Sequence, residues 1–445
     1  MAVTAYWSPN QAAIKQVVTY TFTAPNSVGN TYIAAMNGKT VTYTSISGDT
    51  AALVATGLFD LLNVSTSVMP ELLEIEFANP SSGKVTATAK TAGTPFANVP
   101  GTSAGLVLST GNGLASGITT ANTTANASPS DVNDAQNWLR INDAATPPTR
   151  VRQLPQNADD VVVANTDVPM LWSLDQLAAV QFNTYTRWQS FTGTIGLPVN
   201  NPGGYIEWRA ADFKFVGPQG SAPTGGLQMV LGQGSTGSGP TRERYNVGSQ
   251  KTTVTALAAG SPADEWGIHF LGVHTDNSFT AQGGVSLGIA MLPGDISSLT
   301  SSTADGDATV GIGKGVTWKA SSTLTTKGGA VVIGAAPATI TADNGTQITF
   351  NETDLTWTTV TARGGCNLIF LCGGTVTTLT LETSSTLDKS QDLRALTITS
   401  STIDGDTCSV DDPNNTITWT NATSVKQQVT AGPFKFTGTR TVKVT

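Results

Sequence analysis

The sequence predicts a mainly β chain: a right-handed parallel β-helix, or β-solenoid, preceded by a small α+β domain of ββαββ order. Three observations carry this expectation. Short apolar strands return at a near-constant interval through the carboxy-terminal third. Small and hydroxylated residues take the place of charged ones throughout. A single amphipathic helical stripe occurs, and it lies within the first hundred residues.

The chain has 445 residues, more than one compact core accommodates, so it should divide into units or extend as a repeat. Charged residues make up 12% of it, about half the usual share, yet aliphatic residues recur everywhere, which argues against disorder. The net charge is −8 and no cluster of Lys or Arg stands out, so a nucleic-acid partner is not expected. Met1 to Asn10 lacks a basic segment followed by an apolar one, and no apolar run reaches membrane-spanning length. The expectation is therefore no membrane partner and synthesis in the cytoplasm without export. Cys366, Cys372 and Cys408 are too few to form a disulfide framework and read as buried thiols.

Residues 1–105 are expected to form the small α+β domain. Val17 to Thr23 alternates apolar and polar positions, and Tyr32 to Met36 and Lys39 to Thr44 flank Asn37-Gly38, a strong two-residue hairpin signal. Asp49 or Thr50 can cap a helix carrying Leu53, Val54, Leu58, Leu61 and Leu62 on one face. Glu71 to Ala78 and Lys84 to Lys90 supply two further strands. Residues 106–157 read as a linker, because Ser109 to Pro129 is almost wholly small and polar, with a short helical turn at Asp131 to Leu139. Residues 158–445 are assigned to the β-helix. Its first half, Phe182 to Leu299, is interrupted by loops at Gly217 to Gly226 and Gly232 to Pro240.

The repeat is clearest after Val310. Leu324, Ile340, Val360, Leu379, Leu396 and Ile417 head similar segments at steps of 16, 20, 19, 17 and 21 residues. Ile333, Ile348, Leu368, Leu387 and Ile403 follow at steps of 15, 20, 19 and 16. Two strands per interval suit one turn of a coil, whose inner face is covered only by stacking on the next turn. A β-sandwich also has short, closely spaced strands. The two-phase recurrence, the Thr-rich outward positions and the pairs Gly328-Gly329, Gly364-Gly365 and Gly373-Gly374 at corners favour the coil.

No catalytic, cofactor-binding or metal-binding residue is assigned, and no cofactor is expected. Gly284 to Gly288 matches G-x-S-x-G, but both histidines, His269 and His274, precede it, and Ile289 to Pro293 makes no capped helix. Gly232 to Gly237 fits G-x-G-x-x-G, yet Gly239-Pro240 follows where a helix should open. His269, His274 and Asp276 lack the spacing of a ligand set. The acid pairs Asp159-Asp160, Asp305 with Asp307, Asp404 with Asp406, and Asp411-Asp412 sit in turn-like settings. Asn165-Thr166-Asp167 would begin a polygalacturonase-type set, but no G-H-G exists to complete it. The tryptophans, at Trp7, Trp138, Trp172, Trp188, Trp208, Trp266, Trp318, Trp357 and Trp419, are scattered. Those in the repeats are expected to pack in or on the coil.

Tyr20 to Phe96, with N-G-K-x-V-x-Y-T (Asn37 to Thr44), G-D-T-A-A (Gly48 to Ala52), L-L-N (Leu61 to Asn63) and A-K-T-A-G-x-P-F (Ala89 to Phe96), resembles a module of tailed-bacteriophage structural proteins. Asn137-Trp138, Asp159 to Val163 and Phe191 to Pro198 look like the entry to β-helix domains of phage and prophage proteins. The resemblance implies a non-enzymatic virion structural protein: a capsid decoration, a head fibre or a tail-associated fibre, attached through its amino-terminal domain. It further implies a virion location, other virion proteins of capsid or tail as partners, and self-association, a homotrimer being favoured by analogy. The alternative is a glycan-binding or glycan-depolymerising β-helix of tailspike type, with a host surface glycan as partner.

Overall fold

The computed structural model of the protein describes residues 3–25, 27–66, 69–81, 83–96, 118–174, 180, 182–188, 190–196, 213–214, 226–233, 243–258, 266–404, 407–421, 424–426 and 443–444. Over these residues the chain is mainly β, and its body is a parallel β-solenoid of about nine turns.

The small amino-terminal unit is mostly β. Thr31–Met36 and Lys39–Thr44 pair antiparallel around Asn37 and Gly38, whose φ angles of 47° and 74° suit a tight hairpin turn. Thr50 caps helix Ala51–Ser65, its hydroxyl accepting the Leu53 N–H at 3.3 Å. The helix buries Val54, Ala55, Leu58 and Leu62 against the hairpin and a sheet of order Ile75–Ser81, Lys84–Ala89, Val17–Phe22, Ile118–Thr124. Leu53 and Leu61, expected in the stripe, are exposed instead. Each lies about 100° around the helix from Val54 or Leu62, and Ala55 extends the buried face on the opposite side. Gly57 explains how the hairpin comes so close: a Cβ there would sit 2.2 Å from the Tyr43 ring.

Domain borders fall differently from the expectation of 1–105 and 106–157. Thr4–Trp7 is a solenoid strand, parallel to Asp160–Val163 and antiparallel to Trp138–Asn142. The α+β unit is therefore inserted between solenoid strands. Ile118–Thr124, read as linker, pairs with Val17–Phe22 as a sheet edge, and Trp138–Asn142 forms a hairpin with Thr149–Arg152. Composition misleads here because a polar, Thr-rich segment suits an exposed edge strand as well as a connector. The junction is held by Asn137, fully buried. Its Oδ1 accepts from the Asn10 and Gln11 amides, and its Nδ2 donates to the Ser128 and Asp131 carbonyls at 2.7 and 2.9 Å. Trp7 and Trp138 meet edge to face at 5.1 Å beside it.

The solenoid has a longer and a shorter sheet, each a parallel ladder apart from the antiparallel Trp138–Asn142 and Thr149–Arg152 at one end of the longer. In the longer sheet one inward column runs Tyr185, Met229, Val254, Phe279, Ser302, Leu324, Ile340, Val360, Leu379, Ser401. The shorter sheet faces it with Ile268, Leu287, Val310, Val331, Ile348, Leu368, Leu387 and Val410. Stacking of like side chains is direct: the Phe350 and Phe370 rings lie parallel at 4.1 Å, with Trp357 edge-on at 5.1 Å to Phe350.

The expected columns hold for Leu324, Ile340, Val360 and Leu379, and for Ile348, Leu368 and Leu387, but not for every member. Leu396 lies over Gly374 and under Ile417 on a second arm of the long strands, while Ser401 follows Leu379. Ile333 stacks with Phe350 rather than beside Ile348, and Ile403 belongs to the longer sheet above Leu381. The reason is a bend. Strands Leu355–Ala362, Gly374–Leu381 and Leu396–Asp404 turn a corner at Thr358, Thr377 and Thr399, so inward residues there are three apart, as in Trp357 and Val360. A strict period of two cannot follow that slip. Gly328, Gly329, Gly364 and Gly365 have the positive φ expected at corners. Gly374 has a positive φ of 150° and opens a strand, where a Cβ would meet the Leu355 carbonyl at 2.6 Å. The loops expected at Gly217 to Gly226 and Gly232 to Pro240 lie almost wholly outside the described residues.

Candidate functional site

Beside an outward column that runs Leu257, Gln282, Asp305, Lys327, Asp343, two outward columns of the longer sheet are hydroxylated. From Thr252–Ala258 onward one runs Thr253, Ser278, Ser301, Thr323, Thr339, Thr359, Thr378, Ser400, and its neighbour runs Thr255, Thr280, Thr303, Thr325, Thr341, Thr361, Thr380, Thr402. β-Branched residues pack well on a pleated surface, and the hydroxyls keep it wet. Toward the amino-terminal turns the second column changes character to Tyr6, Val162, Thr186 and Val230. At this change the surface becomes concave.

The concavity is a cleft of about 600 Å³ lined by Tyr6, Val162, Ala164, Asn165, Arg187, Trp188, Ser190, Val230 and Leu257. Tyr6 and Trp188 are 38% and 53% exposed, and Trp188 is the most exposed tryptophan among the described residues. Its backbone N–H donates to the Val163 carbonyl at 3.0 Å, which fixes it at the end of Thr184–Arg187. Asn165 adopts φ of 55°, and its N–H donates to the Ser190 hydroxyl at 3.2 Å. Two exposed polar side chains thus border an otherwise apolar and aromatic hollow.

Behind the cleft lies a charged pair inside the coil. Arg187 comes from the longer sheet and Glu243 from the shorter, both nearly inaccessible, with Nε and Oε1 2.7 Å apart. Tyr245 donates its hydroxyl to Glu243 Oε2 at 2.8 Å, the Tyr185 and Tyr245 rings meet edge-on at 5.8 Å, and the guanidinium lies 5.2 Å from the Phe191 ring centre. Burial raises the Glu243 carboxyl above its ordinary range, and Arg187 opposes that shift. The pair joins the two sheets and neutralises itself, so it works as a strut. The sequence signal was present as Arg187 and Glu243 in inward-facing phase of their strands, but their partnership depends on the turn's closure.

The other candidates are dispersed. Ser286 of G-x-S-x-G is buried and accepts the Trp266 N–H at 2.7 Å. Gly232 and Gln233 end a strand, and the rest of that glycine run lies outside the described residues. His269 faces outward between Arg244 and Gly288. The His274 Nδ1 accepts the Asp276 N–H, and Asp276 pairs with Lys319. Among the described residues no group of three or more His, Cys, Asp or Glu is placed to hold a metal. Asp159 receives Arg140 and the Gln156 N–H, while Asp160 accepts from Asn183 and Thr184. Asp412 is buried and accepts from Thr416 and Ile417, a turn-building role. Asp305 and Asp307 are exposed, and Asp406 and Trp208 lie outside the described residues. The three cysteines are buried and free, and burial pushes the Cys372 thiol up to about 11. Trp357 is enclosed in the coil, and Trp318 and Trp419 pack against its core.

No family model, curated protein or solved structure matches this chain.

Proposed function

We propose that the chain is a non-enzymatic structural protein of a tailed-phage virion, a capsid decoration or a fibre, whose solenoid is the rigid body and whose α+β unit is the attachment point. The carrying observation is the unbroken parallel ladder of about nine turns, in which each strand bonds to both neighbours and the inner columns form one continuous core. Such a body resists bending and proteolysis because local opening must expose neighbouring turns as well. Self-association, a trimer by preference, would cover the coil's ends. Gold-labelled antibody against the chain should mark purified particles at regular positions on heads or tails; particles free of the protein would refute the reading. Sedimentation equilibrium returning a monomer would remove the trimer.

The Tyr6 and Trp188 cleft favours a second reading, a glycan-binding solenoid. Exposed aromatic rings at a concave, partly polar surface are the usual equipment for an amphipathic ligand. Immobilised host-surface glycans should then retain the protein, and no retention on any of them would remove this reading.

A further inference from the structure

Resting on the second reading, the geometry points to the cleft between Tyr6 and Trp188 as a site for a neutral pyranose unit of a glycan, without an anionic sugar's requirement for a cation. The rings of Tyr6 and Trp188 are accessible, whereas beyond Val230 the column of Tyr6 continues as the small hydroxylated Thr255, Thr280, Thr303 and Thr325. Val162 and Val230 extend the apolar floor. A hexopyranose has apolar C–H faces and a hydroxylated edge, so it can lie against an aromatic ring while its hydroxyls reach Asn165 and Ser190 at the border. A volume of about 600 Å³ falls within the range of small-molecule sites and admits a sugar unit.

Charge decides between sugar classes. Among the described residues Arg187 is the one permanently charged side chain bordering the cleft, and it is 1% exposed and already paired with Glu243. A carboxylated sugar would lose water there without gaining a cation, and a desolvated, unpaired carboxylate is costly. A wholly apolar ligand would instead strip water from Asn165 and Ser190 without replacing their hydrogen bonds.

The test uses the full chain, with binding read by tryptophan fluorescence and calorimetry against maltohexaose, mannohexaose and galactohexaose, and against polygalacturonate and hyaluronate oligomers. At least one neutral series should bind and shift tryptophan emission to the blue. Trp188→Ala should weaken that binding roughly tenfold and Tyr6→Ala severalfold, as loss of an aromatic contact implies, while Trp188→Phe keeps most of it. Unchanged thermal unfolding of Trp188→Ala, expected for an exposed side chain, separates lost binding from lost folding. Binding confined to the anionic oligomers, or neutral binding that survives both alanine substitutions, overturns this inference but leaves the second reading standing. No binding to any of the five oligosaccharides also overturns this inference, while retention on immobilised host-surface glycans decides the second reading separately.

Discussion

The two ends of the longer sheet solve the same packing problem with different residues. In the later turns the inside is aliphatic, with Leu324, Ile340, Val360 and Leu379 stacked in register, and the outside is a lattice of Thr and Ser. In the first turns the inside holds Tyr185, Arg187, Glu243 and Tyr245, and the outside carries Tyr6, Val162, Val230 and Trp188. Polar groups have moved inward and apolar groups outward. Burial of apolar area in the aliphatic columns of the later turns makes no directional demands. The first turns add the enclosed Arg187 and Glu243 pair, a less forgiving arrangement. That exchange of position leaves aromatic surface free on one end of the rod and none in the Thr and Ser columns of the other.

The largest test of this contrast is Arg187→Met, which strands the Glu243 carboxylate in the coil and should cost about 3–5 kcal/mol of stability in urea denaturation. Adding Glu243→Leu should recover most of the loss; a single variant costing under about 1 kcal/mol would mean the pair is no strut. Alkaline titration comes next. Burial raises the pKa of Tyr185 and Tyr245 above the ordinary 10.0, and that of Cys372 from 9.0 to about 11. Groups with raised folded-state values contribute stability that is complete below their unfolded values and is lost as pH rises. The first turns should therefore loosen above about pH 10 with a delayed rise in tyrosinate absorbance, and Cys372 should resist iodoacetamide at pH 9 until the chain unfolds. An early, non-cooperative tyrosinate signal that Tyr185→Phe and Tyr245→Phe diminish would contradict the burial.

Smaller effects sharpen the later turns. Thr326 points inward between Ala304 and Ala342, fully buried, and no partner is found for its hydroxyl among the described residues. Thr326→Val should gain about 1 kcal/mol, measured as a higher denaturation midpoint. Thr341→Val, on the outward lattice, should change stability by less than about 0.5 kcal/mol. A large loss there would show that the hydroxyl lattice is structural rather than merely exposed.

The solenoid was legible because inner residues repeat and because parallel stacking places like beside like: Leu324, Ile340 and Val360 are sequence neighbours at near-constant spacing and neighbours in register. The corner was not legible. One extra residue at Thr377 or Thr399 reverses the apparent phase, so Leu396 resembled Leu379 while belonging to another column. The insertion of the α+β unit was hidden because Thr4–Trp7 is a four-residue strand, too short to announce a partner more than a hundred residues away. The cleft left no motif at all. Tyr6, Asn165, Trp188 and Val230 come from separate turns, and only the register of the ladder brings them to one place.

The insertion also sets how the molecule carries tension. The chain leaves the rod after Trp7 and returns at Trp138, residues that lie opposite each other in register, so a pull on the α+β unit reaches the rod through a narrow neck. It peels two antiparallel strands from their open end, bond by bond, before it shears the parallel bonds to Asp160–Val163. The ring contact of Trp7 with Trp138 and the four hydrogen bonds of Asn137 stand at the point where that peeling would start.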